Sequence, residues 1–199
     1  MKTVAIVQAR LGSSRLPGKV LQDLAGDTML ARVVARLRAA RTIDDIVIAT
    51  TLEESDDPII TEAARLGVAV DIQPAWLYLD TRTLVGHFGY ERMRYFQPLR
   101  SIFEAGGIAA GGSDHMQKIG SLRSNNPYDP FLGMWTVLTR QPRWTDQPLH
   151  PEQRITREQA IRLYTTQNAY ITFSEKEKGS LEAGKLADLL ILDADPLAD

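Results

Sequence analysis

A short loop near the amino terminus carries side chains suited to holding phosphate. It runs from Ala9 to Lys19 with the sequence ARLGSSRLPGK. Glycines let backbone N–H groups approach an anion closely, while hydroxyls and cations can bind its oxygens. The candidate binding residues are Ala9, Arg10, Gly12, Ser13, Ser14, Arg15 and Lys19. This set of residue types predicts a site for a polyanionic small ligand such as a nucleoside triphosphate.

The elements around this loop alternate between strands and helices. The apolar run Lys2–Gln8 predicts a strand buried on both faces, and further strands are expected at Asp45–Thr50 and Val68–Ile72. Thr28 and Asp57 are the expected N-caps of the two intervening helices. The β-α-β-α-β order predicts parallel strands with right-handed crossovers, and it puts the loop where open α/β sheets bind ligands.

Charge is concentrated in the same region. The chain has 23 basic and 25 acidic residues, a balance that argues against a nucleic-acid or membrane-surface binder. Yet residues 1–41 contain eight basic and two acidic side chains.

The lack of cysteine excludes disulfides and thiolate metal sites. No apolar run approaches the roughly 20 residues of a membrane helix, and no signal peptide is recognisable, so the predicted location is cytoplasmic.

The first 70 residues resemble a known family. The segments QARLGSSRLPGKVL and IDDIVIATTLEESDDPI look like the start of cytidylyltransferases of the spore-coat polysaccharide type. The resemblance implies a Rossmann-like nucleotidyltransferase fold, with the loop residues around CTP and with Arg15 and Lys19 facing the triphosphate. It also implies magnesium bound with CTP. The family's metal-binding aspartate segment has no match after Val70.

Asp114 is the second candidate for chemistry. It follows a predicted strand, Ile108–Ala110, and two glycines. A carboxylate at the end of such a strand suits ligand or metal chemistry in βα barrels, and it equally suits a helix N-cap or a turn.

The other elements of this region are a predicted helix opened by Pro98 and a capping box at Thr156–Gln159. A long loop is predicted over residues 115–153, and a strand over Leu186–Leu192.

Residues from about 67 to 199 resemble a second family. The segments are QPAWLYLD, GGSD, PYDPFLG, ITREQAIRLYTTQNAY and KGSLEAGKLADLLILDADP. Together they look like the carboxyl-terminal part of an amidohydrolase of the family 3 type. The resemblance implies the last βα units of a metal-dependent (β/α)₈ barrel and one strand of a β-sandwich. It makes Asp114 the catalytic aspartate, which binds a zinc-type divalent metal or takes a proton from water. The family's His-x-His metal pair is missing from this sequence.

The combined prediction is an α/β chain of two segments: residues 1–70 are nucleotidyltransferase-like and residues 71–199 are amidohydrolase-like. The first hypothesis for its function is an amidohydrolase-like protein, acting on carbon–nitrogen bonds but not catalytically competent alone. The alternatives are a CTP-binding cytidylyltransferase-like protein and a non-catalytic nucleotide-binding module. The expected partners are a small-molecule substrate or CTP, with self-association through unpaired sheet edges.

Overall fold

The computed structural model describes residues 3–14, 16–50, 56–115 and 128–198. In chain order, the strands and α-helices among them are β1 (Val4–Gln8), α1 (Met29–Arg38), β2 (Asp45–Ala49), α2 (Asp57–Arg65), β3 (Ala69–Ile72), α3 (Pro74–Phe88), α4 (Leu99–Glu104), β4 (Ile108–Gly111), α5 (Pro130–Thr139), α6 (Arg157–Tyr164) and α7 (Thr166–Ile171). The chain forms two compact units. The first unit is Met1–Val70 with Ser101–Ile108, and the second unit is Asp71–Arg100 with Ala109–Asp199.

The first unit contains a parallel pair of strands, β1 and β2, as the sequence predicts. One face of this pair packs on the first core, a cluster of buried residues from the loop, α1 and α2: Ala9, Val20, Leu30, Val34 and Ile59. The other face is open, since Val4 is 48% and Ile6 is 73% exposed. The prediction that β1 is buried on both faces is therefore wrong. An apolar run cannot by itself say whether a second layer covers its outer face.

The strand β3 does not join that pair. It forms a separate two-stranded sheet with β4. The predicted single sheet of three parallel strands is therefore wrong in its third strand. An apolar strand pattern specifies which residues share a face, but the neighbouring strand is chosen by tertiary packing.

The helix starts of the first unit follow their capping residues. The Thr28 hydroxyl accepts a hydrogen bond from the Ala31 N–H at 3.0 Å, which confirms Thr28 as the N-cap of α1. The N-cap of α2 is Asp56, one residue before the predicted Asp57. The carboxylate of Asp56 is turned instead to the backbone of the loop after β1, where it accepts the Leu11 N–H at 2.6 Å.

The second unit contains two helices that the sequence pattern did not reveal. α3 follows β3 directly, and α5 lies within the predicted 115–153 loop. α5 nevertheless starts on recognisable signals, since Asp129 caps the Phe131 N–H at 2.9 Å and Pro130 opens the first turn. The capping box of Thr156 and Gln159 is confirmed at the start of α6.

The predicted strand Leu186–Leu192 is wrong, because these residues form no strand in the part of the chain that the structure describes. Leu190 is 74% and Ile191 is 93% exposed. A strand is stable only when its backbone groups pair with a neighbour. The alternation of side chains alone does not supply that neighbour.

Candidate functional site

The loop after β1 is held by its own backbone. Ala9 is buried, and its N–H donates to Ala49 at the end of β2 at 2.8 Å. The Leu11 carbonyl accepts two N–H groups, from Ser13 at 2.8 Å and from Gly18 at 2.9 Å. Gly18 has φ +68°, a left-handed conformation that favours glycine. The loop is thus folded back upon Leu11.

Asp56 is the residue of this loop site that sequence reasoning missed. Its side chain is buried, and besides the Leu11 N–H it faces the Thr50 hydroxyl at 3.4 Å. A buried carboxylate is stable only when donors satisfy it. Asp56 therefore ties the loop to the start of α2. The sequence shows only that Asp56 stands just before a predicted helix.

The predicted phosphate-binding side chains lie at the surface of this loop. Arg10, Gly12, Ser14 and Lys19 are exposed, and Ser13 is half-buried. Arg15 lies outside the described residues. Arg10 and Lys19 form no ion pair with any residue in the described ranges, so both cations face solvent.

Two of the three arginines of α1 donate hydrogen bonds to backbone carbonyls. Arg32 donates to the carbonyls of Leu24 and Ala25 at 2.7 Å each. The guanidinium of Arg38 donates to the Leu66 carbonyl at 2.5 Å. These contacts engage both guanidinium groups with backbone carbonyls of the first unit.

Asp114 lies just after β4, in the wall of an open cavity of the second unit. The cavity measures about 1990 Å³, and its other walls come from α5, α6, α7 and the carboxyl-terminal segment. Asp114 is exposed and has φ 47°, a left-handed conformation unusual for a residue other than glycine. Such outliers occur where function or surrounding structure holds the backbone.

A second carboxylate, Asp71 on β3, lies in the same cavity wall. The pKa of Asp71 is raised, chiefly by partial burial and also by the charge of Asp114, while a hydrogen bond from the Gln73 amide opposes the shift. Asp71 and Asp114 are therefore close enough to interact. Sequence reasoning missed Asp71, because a single aspartate in an apolar strand gives no sign of what will face it.

The backbone before Asp114 leaves no room for a side chain. A Cβ at Gly112 would collide with the Gln73 amide oxygen, and a Cβ at Gly111 would lie 2.9 Å from Leu163. The same Gln73 oxygen is buried without a hydrogen-bond partner among the described residues. Glycine at both positions allows the turn that carries Asp114 to lie against β3 and α6.

The described residues do not fit a metal centre. Within the described ranges, no group of three or more His, Asp or Glu side chains could hold an ion. His115 adjoins Asp114 but packs edge-on against Tyr128. The His150 ring contacts Glu152 at 2.9 Å and the Tyr90 carbonyl at 2.8 Å. A structural or catalytic zinc site needs at least three protein ligands.

Comparison with known proteins identifies the fold and a family. The model of the amidohydrolase family matches residues 19–198, starting well before the predicted boundary at about residue 67. A solved structure, an uncharacterized metal-dependent hydrolase of Pyrococcus horikoshii, aligns with 98% of this chain and 45% of its own at TM-score 0.63 and 17% identity. This likeness is consistent with the predicted α/β fold class. It does not single out a Rossmann half joined to a barrel fragment.

Curated relatives fall into two groups. The amidohydrolase-type protein YtcJ of Bacillus subtilis is 31% identical over 145 residues, 72% of this chain and 26% of YtcJ. The N-substituted formamide deformylase of Arthrobacter pascens is 36% identical over 107 residues, 54% of this chain and 18% of its own. A 3-deoxy-manno-octulosonate cytidylyltransferase of Anaeromyxobacter dehalogenans is 48% identical over 66 residues, 33% of this chain and 25% of its own. The chain spans about a quarter of YtcJ.

None of the helices in the described ranges has the length and apolar character to cross a membrane.

Proposed function

The chain belongs to the amidohydrolase family, and we propose that its second unit hydrolyses a carbon–nitrogen bond of a small amide in the cavity beside Asp114. The observation that carries this proposal is the position of Asp114, at the end of β4 and in the cavity wall. The formamide substrate class named for one relative makes an N-substituted formamide a suitable test compound.

In this proposal the Asp114 carboxylate takes a proton from the attacking water. The water oxygen forms a bond to the carbonyl carbon, the carbon–nitrogen bond breaks, and the nitrogen leaves as the amine after taking that proton from Asp114, which restores the carboxylate. General base catalysis of this kind contributes about 10²- to 10⁴-fold. No metal enters these steps, because the described residues do not assemble the ligands that a zinc-type ion requires.

The test is release of benzylamine from N-benzylformamide by the purified chain. We expect Asp114→Asn to lower the rate at least about 100-fold. The matched control is Asp146→Asn, which removes an exposed carboxylate of the same unit outside the cavity lining. No release by the wild type would contradict the proposal and favour the prediction that the chain is not competent alone. Equal rates for the wild type and Asp114→Asn would remove Asp114 from the reaction.

A second candidate function is CTP binding by the first unit. The observation that favours it is the folded loop, whose glycine turn and Asp56 contact leave the Arg10 and Lys19 side chains facing solvent. Two exposed cations on a folded loop suit a triphosphate, with or without magnesium. A nucleotide-binding module without catalysis would use the same contacts.

The test is the thermal midpoint of unfolding in millimolar CTP, with and without magnesium. Binding at ten times the dissociation constant stabilises the folded state by about 1.4 kcal/mol. We expect Lys19→Ala to abolish this gain and Arg41→Ala, an exposed cation outside the loop, to retain it. An unchanged midpoint in the wild type would exclude CTP binding at this concentration.

A further inference from the structure

Tyr164, the last residue of α6, is built into the second unit in an unusual way. A Cβ added at Gly111 would lie 3.0 Å from the Tyr164 ring carbon that bears the hydroxyl, and a Cβ at Gly133 would collide with the hydroxyl oxygen. The phenol thus occupies the space that side chains at the end of β4 and in α5 would otherwise fill.

Gly133 is the more informative of these two glycines. It lies inside α5, where its backbone φ is not in the left-handed region, so helical geometry does not require glycine. Glycine in a helix interior costs about 1 kcal/mol relative to alanine. The contact with Tyr164 supplies a reason for that cost, because only glycine leaves room for the hydroxyl.

The Tyr164 hydroxyl has no hydrogen-bond partner in the part of the chain that the structure describes. Burial, together with the charge of Asp129, raises the pKa of Tyr164, so the group remains an O–H donor at neutral pH. A partly buried donor without a protein partner is satisfied by water or by a ligand.

The position of Tyr164 relates this donor to Asp114. Tyr164 lines the large cavity together with Asp71 and Asp114. It also lines a smaller cavity of about 240 Å³, whose lining includes Gly111–Ser113. A ligand beside Asp114 therefore lies next to the segment that carries both the carboxylate and the contact with Tyr164.

We infer that the Tyr164 hydroxyl is a substrate-binding group that donates a hydrogen bond to an oxygen of the bound amide, and that Gly111 and Gly133 make room for it. This inference rests on the proposed function, since it concerns the same cavity. The group recognised is a hydrogen-bond acceptor, a carbonyl or carboxyl oxygen of a neutral or anionic small molecule. A tyrosine donor in a partly desolvated cavity suits such an oxygen.

The test is equilibrium binding of N-benzylformamide, which needs no turnover. We expect Tyr164→Phe to weaken binding about tenfold, the equivalent of one hydrogen bond, with the fold retained because the ring remains. Tyr170→Phe is the matched control, since Tyr170 on α7 is 42% exposed and lies outside both cavities. Gly133→Ala is expected to weaken binding as well, because its methyl group displaces the hydroxyl.

A second measurement follows Tyr164 in the wild-type protein and uses a variant only to assign its resonance. The chain has six tyrosines, and labelling the ring carbon that bears the hydroxyl gives one ¹³C resonance for each. The resonance absent from Tyr164→Phe is that of Tyr164. We expect it to move during titration with N-benzylformamide, while the Tyr170 resonance stays in place.

The outcomes separate this inference from the proposed function. Tighter or equal binding by Tyr164→Phe, or a Tyr164 resonance that does not move while the wild type binds, would overturn the inference and leave the amide site intact. Absence of binding by the wild type would overturn both. Weaker binding by Tyr164→Phe together with a moving resonance would establish the hydroxyl as a substrate contact, whatever the rate of hydrolysis.

Discussion

The two units bury charges of opposite sign. In the first unit the buried ions are carboxylates, Asp56 and Glu62. In the second unit the fully buried ion is the Arg140 guanidinium, which donates to the carbonyls of Leu149, Gln97 and Phe96 at 2.7 to 2.9 Å. Asp56 and Glu62 accept hydrogen bonds from N–H and O–H donors, whereas Arg140 donates to backbone carbonyls. Each buried ion is thus satisfied by groups of the opposite polarity.

The buried hydrogen bonds of Arg140 also explain its unusual backbone conformation. Arg140 follows α5 with φ 56°, a conformation that costs a residue other than glycine about 1 kcal/mol or more. Three hydrogen bonds from its side chain offset that cost, and its own carbonyl accepts the Leu149 N–H at 2.8 Å. Burial lowers the pKa of Arg140 to about 10, so the group stays charged at neutral pH.

The largest expected effect comes from removing the buried cation. We expect Arg140→Met to lower the free energy of unfolding of the second unit by about 3 kcal/mol, because three carbonyl oxygens each lose a donor. Urea unfolding followed by tryptophan fluorescence measures this unit alone, since Trp76, Trp135 and Trp144 all lie within it. Arg140→Lys keeps the charge but loses the planar guanidinium, so its free energy of unfolding should lie between those of the wild type and Arg140→Met. A loss below about 0.5 kcal/mol would show that the guanidinium does not support these loops.

A smaller effect is expected from the buried carboxylate of the first unit. Asp56→Ala removes the acceptor of the Leu11 N–H and should cost about 1 to 3 kcal/mol. Amide hydrogen exchange at Leu11 is the measurement, and it should become faster. Asp56→Asn keeps an acceptor oxygen and should lose less protection. Unchanged protection in Asp56→Ala would mean that the loop is held by its backbone bonds alone.

The smallest effect is a pH dependence confined to the first unit. Hydrogen bonds from Arg65 and Thr28, with the charge of Arg65, lower the pKa of Glu62 against the opposing effect of burial. A lowered folded-state pKa means that the stabilisation is present above the ordinary value of 4.5 and is lost as pH falls through the lower folded value.

Hydrogen exchange of α1 and α2 between pH 6 and pH 3 checks this expectation. The wild type should lose protection toward pH 3, while Glu62→Gln should depend less on pH. Arg65 is half exposed, so its contribution is screened by solvent and the whole effect is modest. The same pH dependence in Glu62→Gln as in the wild type would assign the loss of protection to other carboxyl groups.

Local signals in the sequence were sufficient for several elements. The caps at Thr28 and at Thr156–Gln159 were predicted because a cap depends on residues three or four positions apart, and the helix after Pro98 because proline suits the first turn of a helix. The missed helix α3 also has proline in its first turn, but its N-cap Gln73 makes no side-chain capping bond. The missed α5 does have one at Asp129, but the surrounding turn residues obscured it.

The residues of the candidate sites also divide into those that the local sequence could single out and those that it could not. Asp114 could be singled out because glycines and a short apolar strand precede it, and these are neighbours in sequence. Asp71, Gln73 and Tyr164 could not, because their importance depends on residues about 30 to 90 positions away. The roles of Asp114 and of the loop residues Ala9–Lys19 stay predictions, as does self-association through unpaired sheet edges.

By itself the sequence determined the α/β class, the family, the caps at Thr28 and Thr156–Gln159 and the loop with its cations, all of which depend on short segments of the chain. Only the tertiary structure decided that β3 pairs with β4, that Leu186–Leu192 forms no strand, and that Asp56 and Arg140 are buried. The physical reason is that strand partners, burial and the satisfaction of a charge are settled by groups distant in the chain. The sequence alone does not show whether an aspartate or arginine side chain is exposed to water or buried in the interior.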